Sequence, residues 1–204
     1  WSTIENAPKI CLFAGPGHSM PVNLENGNHQ RKVDQIYRDY VEKYPDLYYS
    51  SEGKPLLMCY GATPNFYGAD PAWSDDRFTI RWVTGYVGQQ EGLYDPETLR
   101  SYRFWSWEER GTQTYTVVNN RVECVSVTAA SRAQGEEGDR GYIPARGRRN
   151  GDTFREQFER AIELGAGTVI LISWNEWTTS EQLSLEISKD LYHFSPLVTL
   201  STSN

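Results

Sequence analysis

The sequence is poor in the residues and patterns that mark several classes of protein. It has three cysteines and three histidines in 204 residues, too few and too scattered for a disulfide framework or a metal cluster. Basic residues number 20 against 27 acidic ones, and the net charge of −7 argues against nucleic acid or an anionic membrane as the main partner. No apolar run approaches the ~20 residues that a membrane-spanning helix needs. We therefore predict no metal, cofactor, nucleic acid or membrane span.

Aromatic residues are abundant instead. Seven Trp, 13 Tyr and seven Phe make up 13% of the chain, which supplies a core and excludes disorder. The length fits a single domain over residues 1–204 at the usual ~150 residues per domain. Cys11, Cys59 and Cys124 each lie in an apolar run and are interpreted as small buried hydrophobic residues. The three cysteines do not identify the cellular compartment of the protein. A secreted or periplasmic location is favoured over the cytoplasm.

Short apolar segments alternate with amphipathic ones, as in α/β proteins. Three of the segments that read as strands are continuous apolar runs, which indicates a parallel sheet covered by helices on both faces. The predicted strands are Lys9–Gly15, Pro55–Tyr60, Phe78–Thr84, Tyr102–Trp107, Val122–Ala130 and Thr168–Trp174.

Two segments have helical periodicity and clear end signals. The first runs from Asn28 to Pro45, and the second is predicted to begin with a capping box at Thr153–Glu156 and to end at Gly165. A two-residue link then leads into the last strand, as in half of a βαβ unit. The apolar stripes expected on the two helices are Val33, Ile36, Tyr37, Tyr40, Val41 and Tyr44, and then Phe154, Phe158, Ala161 and Ile162.

The most informative segment is the end of the last strand, which reads Ser-Trp-Asn-Glu-Trp. The carboxyl ends of strands carry the active site in parallel α/β barrels. A carboxylate between two indoles is poorly solvated, which favours its protonated form and suits Glu176 to general acid work. Asn175 is suited to hold a sugar hydroxyl, and Trp174 and Trp177 to stack on sugar rings. The alternative is a structural Glu176 that pairs with an arginine, with both tryptophans in the core.

A second cluster, Phe-Trp-Ser-Trp-Glu-Glu, ends the strand near residue 107. Strand alternation puts Trp105, Trp107 and Glu109 on one face and Glu108 on the other. One of the two glutamates is therefore a candidate partner for Glu176, because glycosidic cleavage needs two carboxylates. The alternative is a pair of surface carboxylates after an edge strand.

Weaker candidates for substrate contact lie at other strand ends. Tyr60, Arg81 and Trp82 end or lie near the end of predicted strands, and His18 follows the first one. A lone loop histidine is more often incidental. The long loops 61–77 and 131–152 follow strand ends, where α/β proteins place their sites. In the first loop, Asp70, Trp73, Asp75 and Asp76 form either a substrate wall or plain surface. In the second, the four arginines between 140 and 149 are interpreted as part of a solvated loop, with a substrate or phosphate role as the alternative.

Two segments carry a resemblance to a known family. The strand GKPLLMCYG and the closing strand TVILISWNEW, followed by EQLSLEISKD, resemble the (β/α)₈ glycoside hydrolases related to the endo-α-mannosidase family. The resemblance covers residues from about 8 to 193. It implies a TIM barrel, hydrolysis of O-glycosidic bonds, and Glu176 as a catalytic carboxylate.

The chain departs from that family at one position that affects the chemistry. The mannosidases look like Asn-Glu-Trp-His-Glu, with a second acid three residues after the first, where this chain has Thr179. Mannosidase specificity is therefore not carried over. The second carboxylate is expected from Glu181 in the following loop, or from Glu108 or Glu109 on another strand.

Together these features predict a (β/α)₈ hydrolase acting on a carbohydrate in a tryptophan-lined cleft. The alternatives are a non-catalytic carbohydrate-binding protein on the same barrel and an unrelated α/β protein whose tryptophans are core. A complete barrel has eight strands in about 250 residues, whereas six strands are predicted here. We therefore expect an incomplete barrel, with its first strands on a missing segment or supplied by a second chain.

Overall fold

The computed structural model describes residues 4–5, 7–14, 28–60, 73–84, 103–107, 111–131, 133, 137–138, 140 and 142–172. The chain divides into two compact units. The first comprises Trp1–Thr84 and Gln89–Trp105, and the second comprises Gly85–Gly88 and Ser106–Asn204. The single domain expected over residues 1–204 stays a prediction.

The first unit is built on a parallel sheet. Its strands are β1 (Leu12–Ala14), β2 (Ser50–Ser51), β3 (Lys54–Tyr60), β4 (Thr79–Thr84) and β5 (Trp105–Ser106), in the spatial order β1-β3-β4-β5 with β2 beside β3. Strands β1 and β4 run parallel to β3, with Leu12 opposite Leu57 and Leu57 opposite Ile80. Apart from the short β2, strands that are adjacent in this sheet are also successive along the chain. The same order is found among the parallel strands of a barrel.

The first helix, α1 (Asn28–Ile36), continues into a π-helical turn at Tyr37–Val41. Val33, Ile36 and Val41 are buried, as the sequence predicts, whereas Tyr40 and Tyr44 are exposed. In the wider turn the Glu42 amide donates to the Tyr37 carbonyl, five residues back, at 2.9 Å. Because that turn holds extra residues, it rotates the following side chains away from the regular helical stripe.

Tyr48 ties the connection after α1 to two strands of the sheet. Its hydroxyl donates to the Leu56 carbonyl at 3.0 Å and accepts from the Leu12 amide at 3.1 Å. Burial raises the pKa of Tyr48 to about 12, so that the hydroxyl keeps its proton over the neutral range.

The second unit contains a βαβ motif. Strands β8 (Cys124–Thr128) and β9 (Thr168–Ile172) are parallel, and α2 (Asp152–Glu163) connects them. Before β8, strands β6 (Val117–Val118) and β7 (Arg121–Val122) form a hairpin. Its turn residues, Asn119 and Asn120, have φ values of 51° and 59°, which fit the type I′ turn that asparagine favours.

The predicted capping box of α2 is wrong, and of its predicted apolar stripe Ala161 alone is buried. The helix begins at Asp152, and the Thr153 hydroxyl is buried and donates to the Gly147 carbonyl at 2.5 Å instead of capping the helix. Glu156 does not reach back to the helix start but forms ion pairs with Arg146 and Arg149. The predicted end is right, because Gly165 has φ +63° and its amide donates to the Ile162 carbonyl.

The buried face of α2 is more polar than the sequence suggests. It consists of Thr153, Gln157 and Ala161, while Phe154, Phe158 and Ile162 are exposed. Ala161 packs with Val125 and Val127 of β8 in the core of this unit. Short side chains at 153 and 161 let the helix approach the strand closely, which explains why the phenylalanines point elsewhere.

Two glutamine side chains bind backbone groups of β8. Gln113 Nε2 donates to the Ser126 carbonyl at 2.7 Å and to the Gln157 carbonyl at 3.1 Å. Gln157 Oε1 accepts from the Thr128 amide at 2.8 Å. The amides thereby satisfy buried polar groups of the strand that would otherwise lack a partner.

Replacing Gln157 by leucine is expected to lower the free energy of unfolding by about 1–3 kcal/mol, because the buried Thr128 amide loses its acceptor. Urea titration of the variant against the parent measures the loss. Glu159→Leu, on the exposed side of the same helix, serves as the control and should stay within about 0.5 kcal/mol. Equal stabilities of the two variants would contradict this role of Gln157.

Within the described residues all six predicted strands are present, together with three further short ones, β2, β6 and β7. In the described part of the chain, β1, β3, β4 and β5 form one sheet in that order, β8 and β9 form a separate parallel pair, and the strands do not close into a ring. The fold is mixed α/β with parallel sheets, and the incomplete barrel stays a prediction. None of the helices in the described residues is long and apolar enough to cross a membrane.

Candidate functional site

Most of the predicted site residues lie outside the described residues. Strand β9 ends at Ile172, two residues before the Trp-Asn-Glu-Trp segment begins. The predicted residues for which no position is described are Trp174, Asn175, Glu176, Trp177, Glu181, Glu108, Glu109 and His18. For the segments that contain these residues, the structure therefore describes the strands that precede them, and not the candidate side chains themselves.

Arg81 and Trp105 lie together in the first unit. The Arg81 guanidinium is 5.8 Å from the centre of the Trp105 ring, and both residues are buried. Arg81 also donates to the Ile80 carbonyl at 2.8 Å and pairs with Glu52 at 3.2 Å. Among the described residues, Trp105 Nε1 has no hydrogen-bond partner.

Glu52 forms ion pairs with two arginines near the amino end of β3. It lies in the turn before that strand and pairs with Arg103 at 2.7 Å as well as with Arg81. Its hydrogen bond with Arg103, and then the charge of Arg81, lower the pKa of Glu52. Arg81 is thus engaged at the end of the sheet opposite to the one where barrel active sites form.

Trp82 packs on the opposite side of β4 from Arg81, as strand alternation requires. Its ring lies 6.4 Å from that of His29 and 6.4 Å from that of Trp73, measured between centres. His29 and Trp73 are in edge contact at 4.4 Å. Only 2% of Trp82 is exposed, so these contacts give it a place in the core.

Two further predicted residues are located at strand ends. Tyr60 is the last residue of β3 and pairs through its backbone with Val83. Trp107 follows β5 and leaves 38% of its surface exposed, which makes it the most accessible of the described candidate residues. The Trp107 carbonyl accepts a hydrogen bond from the Ser126 hydroxyl at 2.7 Å, which ties this segment to β8.

The loop residue Asp75 stabilises the fold. It accepts from Arg77 Nη2 at 2.6 Å and from Gln30 of α1 at 2.9 Å, and Arg77 also pairs with Asp34 at 2.5 Å. The hydrogen bonds from Arg77 hold the pKa of Asp75 well below its usual range. The sequence gives no signal for this network, because Gln30 and Asp75 are 45 residues apart.

His29 is a buried histidine without a hydrogen-bond partner among the described residues. Burial, with a smaller effect from the charge of Lys32, lowers its pKa to about 4. The neutral imidazole packs against the Trp73 edge, and protonation would place a charge in this apolar environment.

Acid should therefore destabilise the protein through His29. Because the folded pKa lies below the unfolded value of about 6.5, the unfolded chain binds more protons between pH 4 and 6.5 and stability rises with pH in this window. Between pH 7 and pH 5 the parent should lose about 2 kcal/mol more than His29→Gln, as measured by urea unfolding. Parallel pH profiles of the two proteins would contradict the prediction.

In the described part of the chain, no group of three or more His, Cys, Asp or Glu residues is arranged to hold a metal ion. The arginine-rich loop before α2 forms exposed ion pairs, with Arg146 and Arg149 both bound to Glu156. The three cysteines are free, and Cys59 and Cys124 are buried.

Comparison with known proteins identifies relatives in structure but not in sequence. No protein-family model and no curated protein matches the chain. Two solved structures of the GH99 endo-α-mannosidase from Bacteroides thetaiotaomicron are similar to it, one of them in complex with BIS-TRIS-Propane. The sequence identity is 16% for both, over 96% of this chain and 72% and 67% of theirs, with TM-scores of 0.51 and 0.50. The fold resembles that of a GH99 glycoside hydrolase.

This likeness concerns the fold alone, given the low identity. It confirms at that level the resemblance to the endo-α-mannosidase family that the closing strand indicates.

Proposed function

We propose that the protein is a glycoside hydrolase that cleaves O-glycosidic bonds with two carboxylates in a tryptophan-lined cleft. The observation that carries the proposal is the position of the Trp-Asn-Glu-Trp segment, which starts two residues after the carboxyl end of β9. Catalytic residues of parallel α/β barrels lie at such strand ends. The likeness in fold to GH99 hydrolases supports the same reading.

Glu176 acts in this proposal as acid/base or as nucleophile. One carboxylic acid protonates the leaving oxygen, while the other carboxylate attacks the sugar carbon or deprotonates the water that does so. Asn175 orients a sugar hydroxyl, and Trp174, Trp177 and Trp107 offer flat apolar faces to the sugar rings. The substrate is a glycan or polysaccharide.

The backbone contact of Trp107 supports Glu108 and Glu109 as sources of the second carboxylate. The Trp107 carbonyl is 2.7 Å from the Ser126 hydroxyl, and Ser126 lies opposite Ile170 of β9. Glu108 and Glu109 follow Trp107 directly in the sequence, so this contact with β8, the neighbour of β9, supports them as candidates. Glu181 follows Glu176 in the same loop and is the other candidate for this role.

A second candidate function is carbohydrate binding without turnover. It is favoured by Thr179, because the mannosidases look like Asn-Glu-Trp-His-Glu and have an acid where this chain has a threonine. An aromatic cleft with one carboxylate would still bind a sugar but would lack the second proton-transfer group.

Incubating the protein with a panel of glycans separates the two functions. Binding is measured by calorimetry, and product release by chromatography of the same mixtures over several hours. We expect a bound glycan to be cleaved at a rate proportional to protein concentration. Binding with no product above the background of heat-denatured protein would favour the non-catalytic alternative, and absence of both would contradict the carbohydrate assignment.

A further inference from the structure

Ser126 is a buried polar residue of β8 whose hydroxyl binds a segment far away in the sequence. The residue is 0% exposed, and its Oγ donates to the Trp107 carbonyl at 2.7 Å. A serine hydroxyl has one hydrogen to donate, and here it goes to a residue 19 positions earlier in the chain. Both residues belong to the second unit. Ser126 thus fixes the backbone of the Trp107 segment at one defined point of β8.

The contact is made on the face of β8 that points away from α2. Val125 and Val127 pack with Ala161 of that helix. Because successive side chains of a strand point to opposite faces, Ser126 lies on the other face. In parallel α/β barrels the helices form the outer layer, and the strand ends around the interior carry the active site. Trp107 is therefore attached to the face that such a fold turns towards its site.

The position of Ser126 is itself fixed by two neighbours. Ser126 lies opposite Ile170 in the parallel pairing of β8 with β9. Its carbonyl accepts a hydrogen bond from Gln113 Nε2 at 2.7 Å, and Gln113 is buried as well. Hydrogen bonds between buried groups rigidify the segments that they join. The Ser126 hydroxyl can therefore pass the rigidity of the strand on to the backbone of Trp107.

Trp107 combines this bound backbone with an accessible surface. Its carbonyl is engaged by Ser126, while the residue itself is exposed. An aromatic ring that stacks on a sugar binds more tightly when its position is set beforehand, because the ligand then does not have to immobilise it. The arrangement of Ser126 and Trp107 meets that condition.

We propose that Ser126 is a positioning residue of the carbohydrate site, which holds Trp107 where its ring stacks on a sugar. This inference rests on the proposed function, which assigns the stacking role to Trp107. Ser126 acts through the Trp107 backbone and not through a contact of its own with the substrate. Loss of its hydroxyl therefore affects the affinity for the glycan and leaves the bond-breaking step unchanged.

Ser126→Ala removes the donor and tests this role. Hydrogen exchange of a peptide that covers residues 104–110, measured by mass spectrometry, reports local opening of the Trp107 segment. We expect this exchange to be several-fold faster than in the parent. On a glycan that the parent cleaves, KM and the calorimetric Kd should rise about two- to tenfold with kcat within about twofold, because stacking stabilises the bound substrate and the transition state equally.

Thr153→Val is the matched control. It also removes a buried hydroxyl that donates to a backbone carbonyl in the second unit, in this case the carbonyl of Gly147. It should leave the exchange of residues 104–110, KM and Kd at the parent values. Equal effects of the two variants would show that Ser126 contributes only general stability and would overturn the proposal. Unchanged exchange or unchanged KM in Ser126→Ala would also overturn it.

The same measurements separate this proposal from the proposed function. A parent that binds and cleaves a glycan, with a Ser126→Ala variant that matches it in KM, contradicts the role of Ser126 alone. A parent that neither binds nor cleaves a glycan contradicts the proposed function, and the exchange of residues 104–110 then still shows whether Ser126 holds Trp107. If the protein binds a glycan without turnover, Kd replaces KM in the comparison.

Discussion

Replacing Glu176 by glutamine should reduce glycoside hydrolysis at least about a thousandfold while leaving the affinity for the glycan within about threefold. Glutamine keeps the size and the hydrogen-bonding atoms of the side chain, so substrate binding survives. It neither transfers a proton nor attacks the sugar carbon, so the chemical step loses one of its two carboxylates. The comparison requires kcat/KM on a glycan that the parent cleaves, and calorimetric titration of the same glycan.

Glu163→Gln provides the matched control, because Glu163 is exposed at the end of α2. It makes the same chemical change outside the proposed site and should leave turnover and affinity at the parent values. Unchanged turnover in Glu176→Gln would refute the assignment of this residue. The same substitution at Glu108, Glu109 and Glu181, one at a time, would then identify the second carboxylate as the one whose loss has a comparable effect.

Replacing Trp82 by alanine should lower the free energy of unfolding by about 3–5 kcal/mol. The indole is 2% exposed and packs against His29 of α1 and against Trp73. Its removal leaves a large cavity between the helix and the sheet, which the short strands cannot collapse to fill. Urea titration followed by circular dichroism measures the loss. Trp82→Phe should lose less than half as much free energy of unfolding as Trp82→Ala does.

Trp107→Ala is the control for this substitution, since Trp107 keeps 38% of its surface exposed. It should cost much less stability than Trp82→Ala but should weaken glycan binding, because the proposed function assigns Trp107 to stack on a sugar. A stable Trp82→Ala protein that had lost its glycan affinity would instead support Trp82 as a substrate-binding residue. The two variants thus distinguish core tryptophans from cleft tryptophans.

Regular elements of the fold were predictable wherever local signals dominated. The continuous apolar runs at 55–60 and 168–174 indicated parallel strands, and Gly165 indicated the end of α2 because its φ of +63° favours glycine. The burial predicted for the second run is wrong, because Thr168, Val169 and Ile170 of β9 are half-buried and Leu171 is 58% exposed. The start of α2 was not predictable. Thr153 and Glu156 have the spacing of a capping box, but Thr153 binds the Gly147 carbonyl, and Glu156 pairs with Arg146 and Arg149.

Roles that depend on distant partners could not be predicted from the sequence. Arg81 lies near the end of a predicted strand, where it is a candidate for substrate contact. In the structure it forms an ion pair with Glu52, in the turn before β3. Gln113 and Gln157 are unremarkable in the sequence, and only the tertiary structure brings them to the backbone of β8. For the carboxylates after β9 the sequence remains the main source, since the motif and its place after the strand suggest their role.

The apolar periodicity determined the α/β class, and the Trp-Asn-Glu-Trp segment after the last strand, with the family resemblance it carries, led to the carbohydrate hypothesis. Such features are local or compositional, and they act through burial and charge without reference to neighbours far along the chain. The tertiary structure decided which faces are covered: Thr153, Gln157 and Ala161 contact the core, while Phe154, Phe158 and Ile162 remain exposed. Hydropathy ranks these residues in the opposite order. Close approach of the helix to β8 and the hydrogen bonds of Gln157 outweigh the transfer of two phenylalanines from water, and only packing reveals that balance.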